Sequence, residues 1–311
     1  MKLRTSPYIP GFILLLMLPA QTSARDSQAV GTGEAHVCER CSAENDPEKS
    51  FPPKVAADLP FHLSAGYLIM VEGQIGDRTH LKFLLDTGAS MSMVDSRVVE
   101  PLGLKRQPAK SFNFDRTFNS EQAIIPDVRF GPIEARNVVV LVGDMAKYSE
   151  FARNVDAVIG LDLLRLRNFT VDYGARKLVF GTSAESVNLT ADEALSNCLF
   201  LKIQVQGQPV RLIVDSGFPD ILLFEERLLT KVPAIRMTRD VFNVTLGERL
   251  HAKRTVLENV AIGSTNRNVP VLLTEAPAPD ILPGIDGVVG IKVLNARRVH
   301  FDFAKGTLDW D

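Results

Sequence analysis

The sequence predicts an all-β protein made of two similar lobes. Its apolar segments are short, and several alternate apolar with polar residues, as half-buried strands do. Two of these segments lead into acidic loops that begin at Asp86 and Asp215. Each loop is followed by an apolar-apolar-Gly segment, 74 residues from Asp86 to Gly160 and 75 residues from Asp215 to Gly290. Because unrelated segments would seldom keep such equal spacing, the sequence indicates an internal duplication.

The composition is that of a folded protein with a full core. The 311 residues suit two domains, and 45% of them are hydrophobic and 23% charged. The formal net charge is −2, so we expect no nucleic-acid partner. The five histidines show no ligand spacing, and no glycine-rich phosphate loop is present. The sequence therefore predicts neither a metal nor another cofactor.

Residues 1–24 have the pattern of a signal peptide. Lys2 and Arg4 give a basic start, residues 12–18 are apolar, and residues 22–24 are small or polar up to Ala24. The apolar run is shorter than the roughly 20 residues that a membrane-spanning helix needs. We therefore expect a cleaved signal, a secreted or periplasmic protein and no stable membrane insertion. An uncleaved membrane anchor is the alternative.

Residues 25–60 are predicted to be a flexible leader or linker, because they lack apolar periodicity and are rich in Ser, Glu, Asp and Pro. They contain Cys38 and Cys41 in a C-x-x-C arrangement. Such a pair is compatible with a redox site or with half of a zinc site. Since no second pair exists, an incidental pair in a loose segment is favoured. Whether the leader acts as a propeptide stays open.

The first lobe is predicted to span residues 61–182. The apolar stretch 68–71 leads to a turn at 76–77, and the apolar run 83–85 then reaches the first acidic loop. This order predicts a β-hairpin that delivers Asp86 at its end.

The second lobe is predicted to span residues 197–311, and it repeats that order. Apolar residues alternate with polar ones over 201–205, and a turn at 207–209 precedes the run that reaches Asp215. Helical periodicity is brief, and it follows each acidic loop at 95–102 and 225–229.

The first acidic loop reads Asp86-Thr87-Gly88-Ala89-Ser90 after Phe-Leu-Leu, and it resembles the active-site loop of the aspartic proteases, both pepsin-like and retroviral. The two apolar-apolar-Gly segments are similar to those that pack beneath this loop in the family. The resemblance covers nearly the whole chain after residue 60 and is closest to retropepsin-like units in tandem. It implies a bilobal aspartic-protease-like fold, with two β-barrel-like lobes and an active-site cleft between them.

The resemblance implies that Asp86 and Asp215 are the catalytic pair of an aspartic endopeptidase. Two carboxyl groups held a few ångströms apart cannot both ionise, so they share one proton. The ionised group takes a proton from water, and the protonated group donates to the scissile carbonyl oxygen. Since the chain carries both aspartates, we expect a monomer that acts on a peptide or protein substrate.

The resemblance gives supporting roles to five neighbours of the two aspartates. Thr87 and Ser216 carry hydroxyl groups, which in the family cross between the lobes. Gly88 and Gly217 allow tight turns and a close backbone approach. Ala89 lacks the hydroxyl that pepsin-like members place near the carboxylate. Because the ionised carboxylate then accepts fewer hydrogen bonds, its pKa should be higher and the pH optimum for cleavage mildly acidic.

The second loop departs from the family pattern at Phe218-Pro219, where members normally have a small residue first. A bulky ring would crowd Asp215 or line a substrate pocket, and the proline removes a backbone donor. This departure motivates an alternative, a non-catalytic peptide-binding protein on the same fold. A third alternative is that each lobe pairs with another chain.

A flap over the cleft is expected at residues 111–124 of the first lobe. Phe112, Phe114 and Phe118 are its candidates for contact with substrate. Because the glycine-rich tip of retroviral flaps is absent, an ordinary strand pair with core phenylalanines is an equal alternative.

Overall fold

The structure of this protein is a computed structural model. It describes residues 57–113, 116–147, 151–181, 198–233, 241–246, 249–275 and 284–311, and the short strands at 9–11, 15–17 and 187–188. Cys38 and Cys41 lie outside the described residues, so the predictions for this pair remain predictions.

Strands make up most of the described chain. Those up to the end of the first lobe are β1 (Ile9–Gly11), β2 (Leu15–Met17), β3 (Ala57–Pro60), β4 (His62–Ser64), β5 (Leu68–Ile75), β6 (Arg78–Leu85), β7 (Met93–Asp95), β8 (Gln107–Asn113), β9 (Arg116–Phe130), β10 (Ile133–Gly143), β11 (Ala157–Ile159), β12 (Phe169–Asp172) and β13 (Lys177–Phe180). Those that follow are β14 (Val187–Asn188), β15 (Phe200–Val205), β16 (Gln208–Asp215), β17 (Ile221–Phe224), β18 (Val241–Leu246), β19 (Arg249–Ile262), β20 (Thr265–Thr274), β21 (Gly287–Gly290), β22 (Arg298–Asp302) and β23 (Thr307–Trp310).

The described helices are short. They are α1 (Ser96–Val99), α2 (Leu161–Leu164) and α3 (Glu225–Lys231), with 3-10 turns at Glu100–Leu102, Met145–Lys147, Phe151–Asn154 and Ile291–Leu294. Asp95 caps α1, because its side chain accepts a hydrogen bond from the Arg97 N–H at 2.8 Å. Helices α1 and α3 lie where the sequence predicted brief helical periodicity.

The sheet of the first lobe carries the first acidic loop at the end of a buried strand. The described strands follow the order β2-β8-β9-β10-β7-β11-β6-β5-β4. The predicted hairpin is formed by β5 and β6, with Met70 opposite Leu84. Strand β11 lies parallel to β6, with Val158 opposite Leu84, and supports it next to the loop.

The sheet of the second lobe has a corresponding centre. Its described strands follow the order β1-β18-β19-β15-β16-β21-β17-β20. Strands β15 and β16 form the predicted hairpin, with Phe200 opposite Ile213. Strand β21 lies parallel to β16, with Asp215 opposite Gly290. The two acidic loops therefore leave their sheets at matching positions.

A third sheet joins the lobes. Its described strands follow the order β14-β23-β22-β12-β13-β3, and β12 of the first lobe pairs with β22 of the second. Phe169 and Phe301 lie opposite each other on these strands, with ring centroids 5.0 Å apart. Aromatic pairs at this separation stabilise packing beyond the area they bury. This sheet therefore fixes one lobe against the other.

The all-β, two-lobed fold predicted from the sequence is confirmed. The predicted leader differs from the structure in one place, since residues 57–60 form β3 and pair with β13 rather than lying in a linker. The edge of β13 offers backbone partners that residues 57–60 satisfy. Among the described residues, no helix is long and apolar enough to span a membrane.

Candidate active site

The two acidic loops meet between the lobes and are held there by backbone hydrogen bonds. The Asp86 N–H donates to the Ile159 carbonyl at 3.0 Å, and the Leu161 N–H donates to the Ala89 carbonyl at 2.8 Å. In the second lobe, the Gly290 N–H donates to the Asp220 carbonyl at 2.8 Å. Each apolar-apolar-Gly segment thus lies against the loop that precedes it in the chain.

Thr87 and Ser216 link the loops through four buried hydrogen bonds. The Thr87 hydroxyl donates to the Val214 carbonyl at 2.9 Å and accepts from the Ser216 N–H at 3.0 Å. The Ser216 hydroxyl donates to the Leu85 carbonyl at 2.9 Å and accepts from the Thr87 N–H at 2.9 Å. Each hydroxyl satisfies one donor and one acceptor of the other lobe, so the two loops are positioned as a unit.

Gly88 and Gly217 allow the opposite aspartate to come close. A Cβ atom built on Gly88 would lie 2.5 Å from Asp215 Cγ, and one on Gly217 would lie 3.0 Å from Asp86 Oδ2. The glycine N–H groups also serve their own loops. That of Gly88 donates to Asp86 Oδ1 at 2.8 Å, and that of Gly217 donates to Asp215 Oδ1 at 2.6 Å. These bonds fix the Oδ1 atom of each carboxyl group.

Asp86 and Asp215 are fully buried, with 0% of each residue exposed. The two side chains are within hydrogen-bonding reach of each other. Their Oδ2 atoms accept no hydrogen bond from a donor in the described chain. Because two carboxylates buried this close together repel each other, the pair favours a state in which one group is protonated.

Burial raises the pKa of both groups. The pKa of Asp86 rises to about 6, since desolvation outweighs its hydrogen bonds to Asp215, Gly88 and Ala89. The pKa of Asp215 rises well above its ordinary value, through burial first and then through the charge of Asp86. The pair therefore retains a shared proton in mildly acidic solution.

Phe218 is buried, with 1% exposed, and its N–H makes the same backbone hydrogen bond as Ala89 makes in the first loop. Its N–H donates to the Asp215 carbonyl at 3.4 Å, and the Ala89 N–H donates to the Asp86 carbonyl at 3.3 Å. The ring is thus accommodated in the interior without loss of this turn. Asp215 keeps its place opposite Asp86.

The expected flap segment forms a hairpin of β8 and β9. Phe112 lies on β8 opposite Thr117, and Phe118 lies on β9 opposite Ser111. Phe114 and the side chains of the other two phenylalanines lie outside the described residues. Their predicted contact with substrate remains a prediction.

Sequence reasoning missed a buried network behind the first loop. The Ser92 hydroxyl donates to Asp162 Oδ1 at 2.7 Å and accepts from the Gly160 N–H at 3.0 Å. Burial raises the pKa of Asp162 to about 6, against the effect of its hydrogen bonds to Ser92. Ser92 and Asp162 are 70 positions apart, so no local pattern joins them.

Tyr67 is a second residue that the sequence did not indicate. It is 5% exposed and packs in an apolar cluster that includes Ala89 of the first loop. Burial raises the pKa of its phenol, and the charges of Asp215, Asp220 and Asp86 add to the effect. Lys292 of the second lobe lies over its ring, with Nζ 5.7 Å from the centroid. Tyr67 therefore lies near the carboxyl pair.

Within the described parts of the chain, no group of His, Cys, Asp and Glu residues has the arrangement of a metal site.

Fold and site together define an aspartic-protease-like protein, and comparisons with known proteins agree. Residues 71–163 match the family model described as aspartyl protease. Among solved structures, the chain is similar to the aspartic proteinase from Irpex lacteus, with a TM-score of 0.50 and 12% sequence identity. The match covers 82% of this chain and 96% of that chain. A comparison with curated protein sequences gave no match.

The resemblance to aspartic proteases that the sequence indicated is therefore confirmed. The family match supports a protease-type function in general, and the similarity to the Irpex lacteus enzyme shows the bilobal fold.

Proposed function

We propose that this protein is an aspartic endopeptidase that hydrolyses peptide bonds with water activated between Asp86 and Asp215. The observation that carries the proposal is the pair itself, two fully buried carboxyl groups that come from different lobes and lie within hydrogen-bonding reach of each other. Burying two like charges together is costly, so the pair holds one proton between its two carboxyl groups. This shared-proton state is the one that aspartic-protease chemistry uses.

The reaction needs one ionised and one protonated carboxyl group. Water attacks the scissile carbonyl carbon, the ionised carboxylate accepts a water proton, and the protonated carboxyl donates to the carbonyl oxygen. The tetrahedral intermediate then collapses. The C–N bond breaks as the nitrogen takes a proton from the protonated carboxyl group and one hydroxyl group of the gem-diol intermediate returns a proton to the carboxylate, and a carboxylic acid product and an amine leave. The pair again shares one proton, so no cofactor is consumed.

The proposed substrate is an extended peptide or protein segment bound as a strand in the cleft. Main-chain hydrogen bonds would supply the affinity, and side-chain pockets the selectivity. A monomer suffices, because Asp86 and Asp215 belong to the same chain. Solution mass at micromolar concentration tests this. A stable dimer would instead favour pairing of each lobe with another chain.

The alternative, a non-catalytic peptide-binding protein, rested on the departure at Phe218-Pro219. The second loop keeps the same N–H to carbonyl bond as the first loop, and Asp215 remains opposite Asp86. The departure therefore gives no reason for lost activity, and we favour the enzyme.

Cleavage of a denatured protein between pH 3 and pH 7 tests the proposal, with Asp86→Asn and Asp215→Asn as comparators. We expect the wild type to cut and both variants to be inactive. If only Asp86→Asn is inactive, the second lobe is not catalytic. If a well-folded wild type cuts nothing, the peptide-binding alternative replaces the enzyme.

We also propose that the lobes, residues 61–182 and 197–311, are duplicated units. In support, Asp156 Oδ2 accepts from the Lys82 N–H and Asp286 Oδ2 accepts from the Arg211 N–H, both at 2.8 Å. The two acidic residues order matching turns before the apolar-apolar-Gly segments.

Export with removal of residues 1–24 is proposed as well, on the signal-like pattern of the sequence. Sequencing the amino terminus of the protein from its natural source checks this. A start near Arg25 supports export and excludes a long inhibitory propeptide, whereas a start at Met1 contradicts cleavage.

A further inference from the structure

Thr170 and His300 tie the two lobes together in the sheet that joins them. The two residues lie opposite each other on β12 of the first lobe and β22 of the second, and Thr170 Oγ1 lies 2.8 Å from His300 Nδ1. Beside this contact, the Asn168 side-chain amide donates to Asp302 Oδ1 at 2.7 Å. Polar side chains therefore bond across the boundary between the lobes at two neighbouring places.

His300 is buried, with 5% exposed, although its ring is polar. Its Nδ1 atom has Thr170 as a partner, whereas Nε2 has no hydrogen-bond partner in the described part of the chain. In a neutral imidazole one nitrogen carries a hydrogen and the other a lone pair. Protonation puts a hydrogen on both nitrogens and a positive charge into the interior, where an unpaired charge is costly. The neutral ring therefore fits this place better than the charged ring.

Three charged groups of the described chain act on the His300 ring. Asp302 follows on the same strand, where its carboxylate pairs with the Lys305 ammonium at 3.2 Å, and Asp309 lies opposite His300 on β23. The two carboxylates and the Phe169 backbone favour the charged ring, whereas burial and Lys305 oppose it. Burial is the largest effect, so the pKa of His300 is lowered from its ordinary value.

We infer that His300 is an acid-sensitive latch between the lobes, a contact that holds β12 against β22 while the ring is neutral and weakens when the ring gains a proton. The effect reaches the carboxyl pair, because Thr87 and Ser216 exchange hydrogen bonds across the same boundary. Loosening of the joining sheet lets the lobes shift, and the alignment of Asp86 with Asp215 is then lost. The latch is a property of the fold and does not depend on the proposed activity.

The direction of the pH effect follows from the lowered pKa of His300. Above the pKa of the unfolded chain, the ring is neutral in both states and the contact is intact. Between the unfolded and the folded pKa, the unfolded chain binds up to about one more proton than the folded chain, so stability falls with the pH. The stability that neutral His300 contributes is therefore present in neutral solution and is lost as the pH falls through its folded pKa.

Hydrogen exchange followed by mass spectrometry tests the latch at its own strands. Protection factors, which correct for the intrinsic effect of pH on exchange, are compared at pH 7 and pH 5 for peptides that contain 169–172 and 298–302. We expect protection of these strands to fall severalfold at pH 5, and that of the hairpin at 78–85 to fall less. An equal fall in all three segments, or no fall, would overturn the inference.

Variants separate the titration of the ring from the loss of its hydrogen bond. His300→Gln cannot titrate but keeps an amide for Thr170, so the joining strands should lose their sensitivity to acid. Thr170→Val removes the bond, so protection should be lower at both pH values and should still fall in acid. The control is His62→Gln, because His62 is exposed on β4. It should behave as the wild type. Acid sensitivity that persists in His300→Gln would refute the latch.

Titration of the His300 ring by NMR needs no variant and decides the matter even if His300→Gln fails to fold. The midpoint in the folded wild type should lie below that of the same ring in the urea-unfolded chain. An equal or higher midpoint would mean that Asp309 holds the charged ring in place, and the latch would be wrong. None of these measurements requires cleavage, so a wild type that cuts nothing would refute the protease and leave the latch standing. If the wild type does cut, His300→Gln should keep a larger fraction of its maximal rate at pH 4 than the wild type keeps.

Discussion

Thr87 and Ser216 exchange hydrogen bonds across the two lobes, since each backbone N–H donates to the other residue's hydroxyl group, at 2.9 Å and 3.0 Å. Both residues are buried, at 2% and 3% exposed. Neither loop is therefore complete without the other, and the position of each aspartate depends on a residue more than a hundred positions away.

Thr87→Val removes a hydroxyl group and leaves the Ser216 N–H and the Val214 carbonyl without a partner. Each buried group left unpaired costs about 1–3 kcal/mol, so we expect a loss of several kcal/mol in the free energy of unfolding, together with a large fall in kcat. Urea unfolding and cleavage assays measure the two effects. Thr87→Ser keeps the hydroxyl and should stay near wild type; equal loss in both variants would contradict this account.

Gly88→Ala should abolish activity and Gly217→Ala should impair it less. A Cβ on Gly88 would lie 2.5 Å from Asp215 Cγ, whereas one on Gly217 would lie 3.0 Å from Asp86 Oδ2. The control is Gly174→Ala, whose new Cβ would meet the flexible Arg297 side chain at 2.9 Å. We expect this control to cut at close to the wild-type rate. Full activity of Gly88→Ala would show that Asp215 lies farther from Gly88 than it does in the structure.

The cleavage rate should be highest in mildly acidic solution. Activity needs one proton on the pair, and burial raises the pKa of Asp86 to about 6 and that of Asp215 well above its ordinary value. As the pH rises, the pair loses its one proton and the cleavage rate should fall. As the pH drops, the pair binds a second proton and the rate should fall again. A pH profile of kcat/KM checks this, and a maximum near pH 2 would refute it.

Asp162→Asn should stabilise the protein at neutral pH. The folded-state pKa of Asp162 is raised to about 6 by burial, so its contribution to stability is present below its unfolded pKa and is lost as the pH rises through 6. An amide can still accept from Ser92 and carries no buried charge. We expect a gain of about 1–2 kcal/mol at pH 7 and less at pH 4. Unfolding at the two pH values measures it, with the exposed turn variant Asp77→Asn as control.

Phe218→Ala should destabilise the second lobe by about 3–5 kcal/mol, as expected when a fully buried ring is removed. Phe218→Leu should recover most of the loss and keep activity, because leucine refills most of the buried volume and the N–H bond to the Asp215 carbonyl is made by the backbone. If Phe218→Ala instead cut faster with unchanged stability, the ring would be an obstruction in the cleft rather than part of the interior.

The sequence allowed the two lobes and the two acidic loops to be predicted because their signals are local. Strand alternation, turns and the Asp-x-Gly triplets at Asp86 and Asp215 are each read within a few residues. The matching spacing then relates the halves. The burial of Phe218 was not predictable, because its backbone packs against Gly290, which is remote from it in the sequence.

The features of the fold and site that the sequence did not predict depend on contacts between residues far apart in the chain. Ser92 and Asp162, and Tyr67 and Lys292, meet only after both sheets have formed. The hairpin of β18 and β19 was also missed, since polar residues interrupt its alternation. Strand β3 ends in a proline and is next to a polar segment in the sequence, so its own residues do not predict a strand. It forms a strand because it pairs with the edge of β13.

Ala89 and Phe218 occupy equivalent places in the two loops, yet one has the smallest apolar side chain and the other a large aromatic ring. A homodimer of identical units could not hold such a difference, since every change would appear on both sides. Carrying both loops in one polypeptide frees the two halves of the site to diverge. On the proposed function, the two ends of a peptide would then meet different surfaces.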